Sequence, residues 1–323
     1  MYSRSSLTTC LLLLWLSLSA QTVDGQQSNE APNPYSKLIG SETSKLRSQA
    51  AQGDAMANYQ LGHLYMTGTG VPLNYSEAAK FLHSAAEEGF PEAEVALGYL
   101  YEHGKGMPRD YRRAFGYYAA AAKKGNLTAA NNLADLYEHG YGVRRDLRQA
   151  EDWYRYAAER GSSIAQCNLG SLYFRGEGMT QNYTQAAEWF RKAAESGYAP
   201  GQQILAWMYS KGTGVPQDYA IALQWLQLAA HGGDPRAQID LGYLYEQGKG
   251  VPLDYITAYM WYEAAGEGGE RRSSERLRIL SKVMTEEQIS RAKTSVRKLS
   301  ISTHRGEEVE QSHRIGNALN REP

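Results

Sequence analysis

The chain is short of cysteine. Two of its 323 residues are Cys, and one of these, Cys10, lies in an N-terminal stretch that reads as a leader. Cys167 then stands alone, which excludes an intrachain disulfide framework and any zinc site built from paired cysteines. Neither sign of charge is in excess either, since Lys+Arg 34 against Asp+Glu 35 leaves a net charge of -1. That removes the basic surplus expected of a nucleic-acid binder, and no block of like charge is long enough to form an arm. Long hydrophobic runs are missing as well: the main one, Leu11 to Leu18, is too short to span a bilayer. Catalytic signatures are mostly absent, with no G-x-S-x-G, no H-E-x-x-H and no Walker A loop.

What the sequence does have is a period. Glycine recurs every thirty-six residues at Gly68, Gly104, Gly140, Gly176, Gly212 and Gly248. A second series follows two residues behind, at Gly70, Gly106, Gly142, Gly178, Gly214 and Gly250. A tyrosine precedes each loop, at Tyr65, Tyr101, Tyr137, Tyr173, Tyr209 and Tyr245. Self-similarity at one fixed spacing marks a solenoid, whose units bury their apolar stripes only against one another.

The stretch Ala237 to Gly269 is the cleanest copy. Ala237, Leu241, Leu244 and Tyr245 fall at i, i+4, i+7 and i+8, one face of a helix. Gly242 beside that stripe lets a neighbouring helix approach closely. Gly248 sits where a helix C-cap wants positive φ. Val251-Pro252 forces an extended turn, and Asp254 is a natural N-cap for a second helix. That helix carries Ala258, Trp261 and Ala265 on one face, and Gly269 closes it. The alanine column Ala85, Ala121, Ala157, Ala193, Ala229, Ala265 permits close helix contact. The aromatic column Phe81, Tyr117, Trp153, Trp189, Trp225, Trp261 is expected to fill the core beside it, each ring contributing about 1.5–3 kcal/mol on burial.

The pattern A-x-x-x-L-G-x-L-Y-x-x-G-x-G-V-P-x-D-Y-x-x-A-x-x-W-x-x-x-A-x-x-x-G resembles the Sel1-like repeat, a longer relative of the tetratricopeptide repeat. It spans Ala57 to Gly269 in six copies. Ala134 and Ala206 replace the helix glycine and Gly201 replaces the leading alanine, changes that bear on local packing. The resemblance implies an all-α fold, a right-handed superhelix of six helix-turn-helix repeats, and a role as an adaptor that holds other proteins on its curved surface. It departs from the cysteine-rich secreted branch of that family, which staples its repeats with disulfides, so stability here rests on packing. In a first-helix position, Cys167 reads as a small buried apolar residue rather than a reactive thiol.

Taken in order, residues 1–25 read as a secretory signal peptide: Arg4, the apolar run, then small residues at Ser17, Ser19 and Ala20. Cys10 precedes the apolar run rather than following it, which disfavours a lipoprotein site. Residues 26–40, with Pro32 and Pro34, read as a flexible linker. Residues 41–53 are expected to form an N-terminal capping helix, 54–269 the six repeats, and 270–299 C-terminal capping helices in which Thr285 and Gln288 make a capping box. Residues 300–323 hold few apolar side chains and read as a disordered tail.

Little chemistry stands out from this pattern. Each Gly-x-Gly lacks the strand and third glycine of a dinucleotide site. Ser290 and Lys293 form one S-x-x-K, which matters because a branch of the family has been linked to β-lactam binding and hydrolysis. It lies in a charged terminal helix near Arg291 and Arg297, with no S-D-N or K-T-G elsewhere, and reads as chance. His103 and His139 share one phase, as do groups that jointly hold a metal or a substrate proton, yet a cation at a helix end is sufficient explanation. No cofactor or metal is expected. Asn74, Asn126 and Asn182 are glycosylation sequons that double as helix N-caps.

A binding stripe can be read by phase. Counted from each leading alanine, positions 0, 4, 7 and 8 form the core face, while 3, 6 and 10 fall on a different side of the wheel. The resemblance implies that first helices line the concave surface. Position 6 is His63, Tyr99, Asp135, Ser171, Trp207 and Tyr243; position 10 is Thr67, His103, His139, Arg175, Lys211 and Gln247. These columns vary while the core columns hold. The expected ligand is a protein or peptide, bound through His63, Tyr99, His103, Asp135, His139, Arg175, Trp207, Lys211 and Tyr243. The expected function is a secreted or periplasmic interaction scaffold without catalysis. An endoplasmic-reticulum adaptor in glycoprotein quality control, like the founding member of the family, is the alternative, and a β-lactam-binding hydrolase is a third.

Overall fold

The structure is a computed structural model that describes residues 36–178 and 180–296, with side chains from Thr43 onward. The expected leader, most of the linker and the tail lie outside the described residues. Among those described, every regular element is a helix: α1 Ser36–Ala51, α2 Ala55–Thr67, α3 Tyr75–Glu87, α4 Pro91–His103, α5 Tyr111–Lys123, α6 Leu127–His139, α7 Leu147–Glu159, α8 Ser163–Arg175, α9 Tyr183–Glu195, α10 Ala199–Lys211, α11 Tyr219–His231, α12 Pro235–Gln247, α13 Tyr255–Glu267 and α14 Arg272–Leu280. Residues 286–296 are also helical. The chain forms two compact bodies that divide between Ala157 and Ala158.

Local chemistry sets the helix ends. Second helices start on an acidic or amide N-cap: Asp218 accepts from the Ala220 and Ile221 amides, and Asp254 from those of Ile256 and Thr257. First helices end on a left-handed glycine, as at Gly248 with φ 62, whose N–H donates to the Leu244 carbonyl. The second loop glycine does more than turn. Gly214 has φ +71, and a Cβ added there would fall on the backbone carbonyl of Tyr183, at the start of the previous unit's second helix. Gly250 meets Tyr219 in the same way. Loop and helix start are therefore in backbone contact, and no side chain fits between them.

In the first body, Leu46 of α1 packs with Ala57, Leu61, Leu64 and Val71, covering the first repeat. This helix begins at Ser36, inside the stretch expected as linker, and ends at Ala51 rather than 53. The next layer gathers Ala78, Leu82, Ala85, Ala93, Leu97 and Leu100.

In the second body, the Gln166, Gln202 and Gln238 amides donate to the carbonyls of Ala158, Ala194 and Ala230 at 3.0–3.1 Å. Each ties a first helix to the end of the helix before it. At the C-terminal end Leu280, Met284 and Ala292 join Ile239, Tyr259 and Tyr262 in one cluster. There Thr285 and Gln288 exchange the reciprocal hydrogen bonds of a capping box, at 2.9 and 3.3 Å.

The aromatic column expected in the core is shallower than its period suggested. Trp189 and Trp261 are buried, but Phe81, Tyr117, Trp153 and Trp225 are only half-buried. The next residue along is the deep one: Leu82, Tyr118, Tyr154, Phe190, Leu226 and Tyr262 are each at most 4% exposed. Where the helix glycine is kept, at Gly62, Gly98, Gly170 and Gly242, the deep side chain lies against it; a Cβ added at Gly242 would meet the Tyr262 ring at 2.7 Å and the Ala258 carbonyl of the second helix at 3.2 Å, so ring and helix backbone both come close there. Of the shallower rings, Phe81 stacks on Tyr65 and Tyr117 on Tyr101, tyrosines in the last turns of first helices, both at 5.7 Å. The deep tyrosines come with a carboxylate. Tyr118 donates to Glu102 at 2.7 Å and Tyr154 to Glu138 at 3.0 Å, and Tyr262 bonds Glu246 likewise. Burial and that carboxylate push the phenols of Tyr118 and Tyr262 far above their ordinary range.

Candidate functional site

In the first body the predicted stripe residues are mostly engaged with their own helices. His63 is half-buried, and its Nδ1 has no hydrogen-bond partner. Burial lowers its pKa. Tyr99 accepts from Lys105 Nζ at 2.6 Å, and its ring lies 4.2 Å from that of exposed His103. His103 Nδ1 is 3.0 Å from the Tyr99 carbonyl, and His139 Nδ1 is 3.0 Å from that of Asp135. Asp135 also approaches the His139 ring at 3.3 Å, and burial raises its pKa. Asp135, Glu138 and His139 offer ligand-type atoms within 4.8 Å of one another. Tyr154 already holds Glu138, and Asp135 and His139 hold each other, so the cluster is internally satisfied. His103 is not among them, and the two histidines act separately, each tied to the turn before it.

In the second body the stripe residues converge. A cavity of about 450 Å³ is lined by Trp207, Lys211, Tyr243, Lys249 and Arg272, with Leu226 and Leu244 at its base. A second, of about 370 Å³, is lined by Phe174, Arg175, Phe190, Ile204 and Trp207. Gln203, Trp207 and Asp240 line both, so the two are lobes of one groove. Their volumes are those of ordinary ligand clefts. Trp207 stands between them at 43% exposure, its ring edge-on to Phe174 at 5.8 Å. Lys249 lies over the Tyr243 ring at 5.2 Å and the Tyr219 ring at 5.7 Å, while Arg276 covers Tyr243 at 5.4 Å. Asp240 accepts from Gln203 Nε2 at 3.0 Å, and burial raises its pKa against the opposing pull of Gln203 and Arg272. Arg272 pairs with Glu270 at 3.1 Å, and Arg175 with Glu177 at 3.4 Å.

Four predicted residues, Arg175, Trp207, Lys211 and Tyr243, thus share one groove. Asp240, Ile204, Phe174, Lys249 and Arg272 were not singled out. Asp240 and Ile204 occupy position 3 of the same stripe, and Arg272 stands one period after Arg236, so the phase would have found these three. Phe174 and Lys249 sit beside the stripe and in the loop, where no helical phase points.

The remaining candidates have structural settings. Cys167 is buried beside Phe190 and Leu205, and burial pushes its thiol up to about 11. Ser290 and Lys293 are both exposed, so neither has the sheltered setting a serine nucleophile needs. Asn74, Asn126 and Asn182 each cap a helix through the side-chain oxygen, and Asn74 and Asn182 are exposed. No described helix is long and apolar enough to cross a membrane.

Paired antiparallel helices, a thirty-six-residue step and loop glycines locked against the preceding unit define an α-solenoid repeat protein. A model of the Sel1 repeat matches residues 55–90, 91–126, 127–162, 163–198, 199–234 and 235–270, and the chain belongs to that family. It is similar to the crystal structure of c5321, described as a protective antigen of uropathogenic Escherichia coli with an SLR fold. Identity is 30% and the TM-score 0.67, over 92% of this chain and 64% of that one. The chain thus spans under two thirds of the length of the E. coli protein. A Sel1 repeat protein from Oxalobacter formigenes is also 30% identical, with TM-score 0.63 over 72% of this chain and 97% of that one. No match was found among the curated proteins.

Proposed function

We propose that this protein is an exported, non-catalytic scaffold that holds a protein or peptide partner in the groove of residues 171–272. The Sel1 repeat architecture is consistent with an interaction role. The observation that carries the finer reading is Trp207, a large aromatic left 43% exposed where two cavities meet. An indole in that setting is the usual form of an interface anchor, with Tyr243 and Arg175 as the accompanying residue types. Export rests on the leader-like N-terminus, and the compartment proposed is the periplasm or the extracellular space. The first-body residues His63, Tyr99, His103, Asp135 and His139 form a secondary candidate surface, since they follow the same helical phase.

The test is a paired substitution. Trp207→Ala with Tyr243→Ala should abolish capture of the native partner from the envelope or secretory fraction while leaving helicity and melting unchanged. Retained capture would overturn the groove assignment. Export is tested by N-terminal sequencing of the native protein, which should begin between Ala20 and Gln26. A mature pool that retains Met1 would contradict it.

A further inference from the structure

The two lobes of the groove differ in chemistry, and together they specify more than a partner of unknown kind. One lobe is walled mainly by Phe174, Phe190, Ile204 and Trp207, rings and a branched aliphatic that suit a large apolar side chain, with Arg175 at its edge. The other carries three cations, Lys211, Lys249 and Arg272, around the Tyr243 and Tyr219 rings. Lys211 has no ion-pair partner among the described residues and is exposed, while Lys249 rests on aromatic faces rather than on a carboxylate. Arg272 is shared with Glu270. Against these cations the groove sets one acid, Asp240 on the wall common to both lobes.

We infer that the groove takes an extended peptide in which a large apolar side chain lies beside two or more carboxylates. The apolar residue enters between Phe174 and Trp207, and the carboxylates reach Lys211, Lys249 and Arg272. The apolar wall supplies the buried anchor; the cations supply sign selection, because a basic segment would set like charges against three cations with Asp240 the one acid lining the groove. Asp240 opposes this ligand. Burial already favours its protonated form, and a neighbouring carboxylate pushes in the same direction. Removing its charge should therefore strengthen binding. The inference deepens the groove reading above and rests on it.

The experiment uses the full chain and three fluorescein-labelled synthetic peptides of one length, each with a Leu-Phe pair, flanked by glutamates, by serines or by lysines. Fluorescence anisotropy should show the glutamate peptide binding at least about tenfold more tightly than the serine one, and the lysine peptide weakest. Lys211→Glu should weaken the glutamate peptide about tenfold or more, Asp240→Asn should tighten it, and Trp207→Ala should abolish binding of all three. Added salt should narrow the gap between glutamate and serine peptides. Equal binding of these two, lost in Trp207→Ala, would overturn the charge inference and leave the groove reading standing. Preference for the lysine peptide, indifference to Lys211→Glu with circular dichroism unchanged, or no binding of any peptide would also overturn the inference. The groove reading is judged separately, on capture of the native partner.

Discussion

At the scale of single residues, the loop glycines show how one atom can decide a contact between repeats. Gly214 has positive φ and its missing Cβ is where the Tyr183 carbonyl lies, whereas Gly233 has φ +86 with nothing within 4 Å. Gly233→Ala should cost the left-handed strain alone, about 1–2 kcal/mol. Gly214→Ala should cost clearly more, because the preceding helix start must also move; urea unfolding of the two variants checks the difference. Gly242 is another matter, since an added Cβ would meet the Tyr262 ring first, at 2.7 Å, and the Ala258 carbonyl only at 3.2 Å, and the chain carries Ala134 and Ala206 at the equivalent positions, both fully buried.

The buried acid–phenol pairs give a second prediction at this scale. Tyr262→Phe strips Glu246 of a donor at 9% exposure and should cost about 1–3 kcal/mol. Together with His83, whose pKa burial also lowers, His63 gives the acid-side pH dependence. Its folded pKa is lowered by burial, so the folded state prefers the neutral ring. Stability is fully present above the ordinary imidazole range and is lost as pH falls through it toward the folded value. His63→Gln should flatten the stability profile between about pH 7 and 5; an unchanged slope would assign the acid-side loss to other groups. None of the acid–phenol pairs was legible in advance. Glu102, Glu138 and Glu246 were not singled out, and their partners appear only where two helices meet, sixteen residues apart along the chain.

At the scale of the element, the starts of the second helices and the ends of the first were readable because each is set by a residue with a local mechanism, whereas the bounds of α1 were not. Asp254, Gly248 and the capping box at Thr285 all act where their chemistry placed them. The depth of the aromatic column was not readable. Adjacent residues differ by one step on the wheel, and which of them points inward depends on the neighbouring helix's tilt rather than on period. Trp153 and Tyr154 both recur every thirty-six residues as large side chains, yet only Tyr154 is buried. The caps allow the sequon question to be separated from stability. Asn74→Asp keeps a side-chain oxygen for the Ser76 and Glu77 amides and should leave melting unchanged, whereas Asn74→Ala should cost about 1 kcal/mol. If a glycan is attached in the native source, both changes remove the same mobility shift on a gel.

At the scale of the molecule, stability spreads over repeated layers with no disulfide among the described residues, as a near-neighbour sum predicts. Deleting one whole repeat, residues 91–126, should leave a folded, shorter protein whose groove still binds. Deleting half of it, residues 91–108, strands an apolar stripe and should cause aggregation. Equal tolerance of the two deletions would contradict nearest-neighbour packing. The solenoid was legible throughout because its period is enforced at glycine, alanine and tyrosine together. The groove was legible only in part. Trp207 and Tyr243 stand out where their column varies, but the cations that complete the site come from a loop, Lys249, and from beyond the last matched repeat, Arg272, which only extending the phase past residue 270 would reach.

The proposed partner lies against the first-helix stripe around Trp207. Site-specific photo-crosslinking tests this placement most directly. A photoreactive residue is placed at position 207 or at Leu228, an exposed side chain of a second helix in the same body at 57% exposure. A discrete covalent adduct with the native partner is expected from position 207 and none from position 228. An adduct from 228 with none from 207 would contradict the placement.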